Sequence, residues 1–183
     1  SDMYPESGLT PYDAKLIGMA SSFAEVGQLA LPDEIVLGGP EQPEPERSTF
    51  FLHTKLGSEL FKNGPAEWEP LLTYCAEIAM YHHTNYDGSG YPNSLSRDAL
   101  PLSAQLVHTA MMCSDLADRY EKEHHIFKMV YRALSLQMGR TLSPKMLKVV
   151  EDAQKPLEHI FRTMHLQKRT EDVEEELRVK EAL

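Results

Sequence analysis

His82-His83-Thr84-Asn85-Tyr86-Asp87-Gly88-Ser89-Gly90-Tyr91-Pro92 is the stretch on which the reading of the fold turns. Two adjacent histidines end a segment in which Leu71, Cys75 and Ile78 recur at helical spacing, which brings His82 inward at the next turn. His83 continues the line of Leu72 and Ala79. Alone, such a pair is an ordinary helix cap, because the C-terminal end of a helix favours positive charge. The residues behind it change that reading. Asp87-Gly88-Ser89-Gly90 supplies an Asx-type turn with two glycines able to take positive φ, and Tyr91-Pro92 fixes an extended exit. A rigid loop thus follows directly on two imidazoles.

Outward from this loop the pattern is helical nearly throughout. Thr10-Pro11-Tyr12-Asp13 reads as a helix start, and Leu16, Ile17, Met19, Ala20, Phe23 and Val26 form its apolar set as far as Gly27. Pro32 and residues 38–46, rich in Gly and Pro, read as loop. Ser48 caps a second helix carrying Phe50, His53, Leu56, Leu60 and Phe61, which Asn63-Gly64 stop. A third helix runs from about Trp68 to His83, and residues 84–98 form a polar loop. Further helices are expected over Leu100 to Glu123 and Ile126 to Met138, before Gly139. Ser143-Pro144 opens another, which Pro156 separates from a last amphipathic segment. No strand alternation is visible, so the class is all-α. The expected organisation is a tag or disordered start over 1–9, one domain over 10–165, and a charged helix or tail over 166–183. Ser1-Asp2 ahead of Met3 reads as a cloning remnant.

The bulk properties agree with one domain. The chain has 183 residues, 42% apolar and 25% charged, enough for one hydrophobic core. A formal charge of -10 argues against nucleic-acid binding, which needs a basic surface, yet leaves room for a small dianionic nucleotide in a locally basic pocket. There is no apolar run of about 18 residues, so no membrane span is expected, and no leader. Cys75 and Cys113 lie in apolar helical patterns and read as buried free thiols, which points to the cytoplasm.

The stretch from His82 to Pro92 resembles the HD-GYP signature, H-H-E-x-x-D-G-x-G-Y-P, and departs from it only at Thr84, where that family has Glu. Leu31-Pro32-Asp33-Glu34-Ile35-Val36 looks like the I-P-D-x-I-L that follows the family's H-D-I-G-K. His53-Thr54-Lys55-Leu56-Gly57-Ser58-Glu59-Leu60 is similar to its H-P-x-x-G-x-x-I/L helix. Pro101-Leu102-Ser103-Ala104-Gln105 resembles P-L-G-A-R, and Gly139-Arg140-Thr141-Leu142-Ser143-Pro144 resembles G-x-x-F-D-P. The resemblance covers residues 10 to 153. It implies an all-α HD-superfamily helical bundle, whose active members hydrolyse cyclic di-GMP with two or three bound metals, usually iron or manganese.

Carried over residue by residue, the resemblance implies a damaged catalytic site. The family's His-Asp doublet aligns with Ala24-Glu25 and its catalytic Lys with Gln28, leaving Glu25 and Gln28 as vestiges of catalytic positions. Alanine has no donor atom and glutamine no charge, whereas two-metal hydrolysis needs both ligands and cations. His53, His82 and His83 remain as metal ligands, with Asp115 as a further candidate. Ungapped extension from Pro101 puts Met111, a poor ligand for hard metals, at the family's Asp. Aligning Cys113-Ser114-Asp115-Leu116-Ala117-Asp118 with V-A-D-x-x-D puts Asp115 there instead, and both registers stay open. Asp115 and Asp118 equally read as solvated helix surface.

The cofactor expected is none, or one residual divalent metal, iron or manganese. The function expected is a degenerate HD-GYP signalling domain acting through protein contact. Its loop of Asp87, Gly88, Gly90, Tyr91 and Pro92 would meet a partner such as a GGDEF-type diguanylate cyclase. Two alternatives stand beside this. One is an active cyclic di-GMP phosphodiesterase with a rearranged metal site. The other is a non-hydrolysing cyclic di-GMP sensor, with Tyr91 stacking on guanine and Arg97 or Arg119 meeting phosphate; each of these three residues also reads as packing or surface charge.

Overall fold

The computed structural model describes residues 8–164; the expectations for the first seven residues and for the charged tail fall outside them. The first helix, α1 (Pro11–Ser21), opens at Thr10 with a reciprocal cap. The Thr10 hydroxyl accepts from the Asp13 N–H at 3.1 Å, and the Asp13 carboxylate accepts from the Thr10 N–H at 2.8 Å.

The helix ends at Ser21 rather than at Gly27. Residues 22–25 form turns, and Val26–Ala30 is a short 3-10 helix. Two residues of the apolar set are exposed, Met19 within the helix at 57% and Phe23 beyond its end at 42%, while Leu16, Ile17, Ala20 and Ala24 are buried. The early end comes from packing. A Cβ on Gly27 would lie 1.9 Å from the His53 carbonyl oxygen, so the chain leaves the helix and lays a bare glycine on the next long helix.

A short helix, α2 (Asp33–Gly38), was not expected; Asp33 and Glu34 in its first turn suit the positive end of the helix. The next, α3 (Glu46–Phe61), has Pro45 at its N-cap, three residues ahead of the expected Ser48 cap. Ser48 instead donates from its N–H and hydroxyl to the Glu44 carboxylate. α4 (Leu71–Tyr81) begins after Pro70 and buries Cys75, Ile78 and Ala79. α5 (Leu102–Arg119) follows the loop, then α6 (Ile126–Ser135) and α7 (Pro144–Asp152), the last capped by Ser143. A break at Ala153 precedes helical residues 154–164, with Pro156 in their first turn rather than at the break. Among the described residues there is no strand, only isolated bridges between Thr84 and Gly90 and between Met138 and Leu142.

The all-α expectation holds. The chain divides into two compact units, Ser1–Thr109 and Ala110–Leu183. In the first, α3 packs against α4, α1 against α4, and the 3-10 turn and α2 against α3. Its core includes Phe50, Ile78, Ala79 and Cys75. In the second, α6 and α7 pair and bury Phe127, Val130, Leu134, Met146 and Val150. Each such large apolar side chain contributes roughly 1.5–3 kcal/mol on burial. No described helix is long and apolar enough to cross a membrane.

Candidate metal centre

Three elements of the first unit converge on one point. His53 comes from the middle of α3, His82 is the C-cap of α4, and His83 follows it. Glu25 stands just before the 3-10 turn that Gly27 presses onto α3. His53 and His82 are fully buried, while the Glu25 side chain is 40% exposed, so the group opens to solvent on its carboxylate side. The ligand atoms of Glu25, His53, His82 and His83 all lie within 4.8 Å of one another.

The backbone decides which ring nitrogens face the centre. His53 Nδ1 is 2.7 Å from the Phe50 carbonyl, and His82 Nδ1 is 2.9 Å from that of Ile78. A carbonyl only accepts, so each Nδ1 carries a proton, and a ring without a second proton turns its Nε2 lone pair to the cluster. There His53 Nε2 lies 3.2 Å from Glu25 Oε2. His82 Nε2 and His83 Nε2 lie 3.2 and 3.3 Å from Oε1. The Nε2 atoms of His53 and His83 are buried without an aligned hydrogen-bond partner among the described residues.

Lone pairs facing a carboxylate repel it unless a proton or a metal ion lies among them. The donor set therefore fits a single divalent ion: three imidazoles and one carboxylate, of the kind that suits iron, manganese or zinc. Without a metal, burial pushes the Glu25 carboxyl up, but hydrogen bonds and positive charge from the His82 and His83 rings outweigh it and hold it below the usual carboxylate range. Burial lowers His53 and His83, which favours the neutral ligating form.

The residues beside Glu25 differ in kind. Ala24 is buried and offers no donor. Gln28 donates from its side-chain amide to Glu25 Oε2 at 2.6 Å, so it holds the carboxylate without adding charge. Glu25, read from the sequence as a vestige, is the centre of the group.

The loop has the expected build. The Asp87 carboxylate accepts from the N–H and the hydroxyl of Ser89 at 2.9 and 2.6 Å. Gly88 and Gly90 take φ of 89° and 87°. A Cβ at Gly90 would lie 2.3 Å from the His83 carbonyl, so this glycine is required by the approach of the loop to the histidines. The exit expected to be extended instead bends at Tyr91 and Pro92, which are joined by a cis bond. Thr84, where the signature's Glu would stand, is buried and donates its hydroxyl to the Pro92 carbonyl at 3.0 Å, closing the loop on itself. Tyr91 stacks on Phe51 with centroids 3.9 Å apart and lies 4.6 Å from the His83 ring, so it forms a wall of the site. Arg97 is exposed, with φ 54°, and its N–H donates to the Tyr86 carbonyl.

Met111, Asp115 and Arg119 belong to the second unit. There Asp115 and Arg119 are exposed on α5 and Met111 is partly buried; none is among the four converging residues. The sequence reading passed over His108, whose Nδ1 is 2.6 Å from the His82 carbonyl. Its one signal was a histidine on the buried stripe of Ala104 and Val107, which core histidines also give.

An all-helical bundle that gathers histidines and a carboxylate in this way is the architecture of the HD superfamily. Residues 5–142 match the HD domain family, and the chain belongs to it. It is 30% identical over 154 residues to a cyclic di-GMP phosphodiesterase response regulator of Xanthomonas campestris, covering 84% of this chain and 40% of that protein. It is 31% identical over 144 residues to the 3'3'-cGAMP-specific phosphodiesterase 2 of Vibrio cholerae, covering 78% and 27%. A cyclic di-GMP phosphodiesterase of Thermotoga maritima is 27% identical over 159 residues, covering 86% and 42%. The chain thus spans less than half the length of these relatives.

Proposed function

We propose that this HD domain serves cyclic-dinucleotide signalling as a one-metal member impaired in hydrolysis, acting through contacts made by its Asp87–Pro92 loop. The observation that carries the reading is the surroundings of Glu25. Three Nε2 atoms and one carboxylate suffice for a single ion, while the adjacent Ala24 is a methyl group and Gln28 an uncharged amide. The ion would be held by His53, His82, His83 and Glu25, with iron or manganese as its identity. A bound divalent ion supplies Lewis acidity, making water more acidic and neutralising phosphate charge. The chain's own residues orient that ion and shield its inner face, because His53 and His82 are sealed from solvent.

Cyclic di-GMP is the natural nucleotide from the names of the relatives, and 3'3'-cGAMP is a second. The intact Asx turn and the self-closed Thr84 bond support a loop kept in shape for a partner in the cytoplasm, with a GGDEF-type diguanylate cyclase as its class. The sensor reading has less support, since one face of Tyr91 is already covered by Phe51.

The test combines metal analysis with turnover. Protein purified anaerobically should carry about one iron or manganese per chain. It should hydrolyse cyclic di-GMP and 3'3'-cGAMP far more slowly than a metal-replete relative assayed beside it. Two metals per chain with matching turnover would overturn the proposal.

A further inference from the structure

Three consecutive carbonyls leave the end of α4, and each is held differently. The Tyr81 carbonyl accepts from the Thr84 N–H at 2.9 Å, and the His83 carbonyl from the Tyr91 N–H at 3.3 Å. The His82 carbonyl between them accepts from a side chain, His108 Nδ1, at 2.6 Å. That carbonyl belongs to the peptide joining His82 to His83, so its orientation fixes the direction in which both side chains leave the backbone. His108 reaches it from α5, 26 residues further along the chain.

The protonation of His108 follows from its partner. Since the carbonyl only accepts, Nδ1 is the N–H, and Nε2 is left with a lone pair. That Nε2 is buried and has no partner among the described residues. A buried polar ring with half its hydrogen-bonding capacity unused costs free energy. The bond it does make therefore accounts for its presence better than packing does.

We propose that His108 is a positioning residue of the metal centre: its Nδ1–H clamps the His82–His83 peptide and so sets the aim of two of the three Nε2 ligands. The proposal rests on the reading of the four-residue group as a metal site. Groups that orient ligands in this indirect way typically change metal affinity by about 10–100-fold when lost.

The test uses Co²⁺ as a spectroscopic probe on the purified chain with three variants. In His108→Asn the side-chain NH₂ takes the place of Nδ1–H. In His108→Gln the donor is carried one methylene further out, and His108→Leu has none. Wild type and H108N should show the same visible Co²⁺ bands and affinity. H108Q and H108L should bind about 10–100-fold more weakly with altered bands, while remaining folded by far-UV circular dichroism. Should H108L not fold, the comparison of H108N with H108Q carries the test. Co²⁺ affinity and bands that are the same in H108Q as in wild type would overturn the positioning role alone. A wild-type protein with no Co²⁺ bands would instead overturn the metal reading, and this role with it.

Discussion

The contact that organises the site is the approach of Gly27 to α3, and it can be tested by adding one methyl group. In Gly27→Ala the new Cβ would stand 1.9 Å from the His53 carbonyl oxygen and 2.6 Å from the Gly57 nitrogen. Both obstacles are backbone atoms of a helix and cannot swing aside. To reach ordinary contact, near 3.4 Å, the 3-10 turn must retreat by about 1.5 Å. Overpacking of this kind costs typically 1–3 kcal/mol, and backbone obstruction puts the expectation at about 3. For a chain of this length that lowers the melting temperature by roughly 6–12 °C. The same retreat carries Glu25 away from His53, so Co²⁺ affinity should fall with stability.

Two other glycines supply the scale. A Cβ at Gly57 meets atoms at 3.1–3.2 Å, a mild clash that the gain in helix propensity offsets, so Gly57→Ala should melt close to wild type. Gly18 lies in α1 with open space around it, and Gly18→Ala should stabilise by about 0.4–1 kcal/mol. The assay is thermal denaturation followed by metal titration. A G27A protein that melts with wild type and binds Co²⁺ equally well would refute the close approach.

Further outcomes follow from the same geometry. Glu25→Gln should weaken Co²⁺ by more than the roughly 100-fold upper range of indirect effects, since it removes the only anionic donor, and isothermal titration reads this directly. Without metal, His53 and His83 have folded proton affinities below the unfolded value near 6.5, so the unfolded chain takes up protons first. Stability of the metal-free protein is then full above about pH 6.5 and is lost as pH falls below it; melts between pH 7.5 and 5 that show no change would contradict this. Cys75 and Cys113 are buried, with both thiols pushed up by burial, Cys113 to about 11. Neither should react with Ellman's reagent in the native protein at pH 8, and both should react in guanidinium.

What the sequence discloses is what short segments determine by themselves. The Thr10 and Ser143 caps, the Asx turn at Asp87 and the positive φ of Gly88 and Gly90 need only neighbours within a few residues. The inward turn of His82 follows from helical spacing. The end of α1 was hidden because its apolar rhythm runs on to Val26, while the reason for stopping lies at the His53 carbonyl, 26 residues beyond Gly27. α2 was masked by its flanking Pro32 and Gly39, which locally signal loop. Glu25 was legible only as a substituted position in a family pattern. That it touches three histidines depends on α3, α4 and the 3-10 turn meeting in space. His108 carries only an ambiguous local mark, because a histidine on an apolar stripe looks the same whether it fills space or clamps a peptide.

The number of ions the site can hold turns on Glu25. A carboxylate that bridges two metals needs a lone pair free for each. Here Oε1 faces His82 and His83, while Oε2 faces His53 and accepts the Gln28 amide at 2.6 Å. One ligand atom from each of Glu25, His53, His82 and His83 lies within 4.8 Å of the others, as around one ion, and the buried Ala24 adds no donor. On the one-metal reading proposed above, Gln28→Lys alone should therefore fail to raise hydrolysis. Its ammonium would pair with Glu25 and compete with the ion, lowering Co²⁺ affinity by about two- to fivefold, the effect of a solvent-screened pairing worth roughly 0.5–1 kcal/mol at a carboxylate that is 40% exposed. Ala24→His supplies the missing donor, but only by displacing the core around a residue that is 5% exposed. The double variant should recover turnover only if it also binds a second metal, as metal analysis would show. Turnover restored by Q28K alone, with one metal per chain, would mean that a cation rather than a second ion is what this domain lacks.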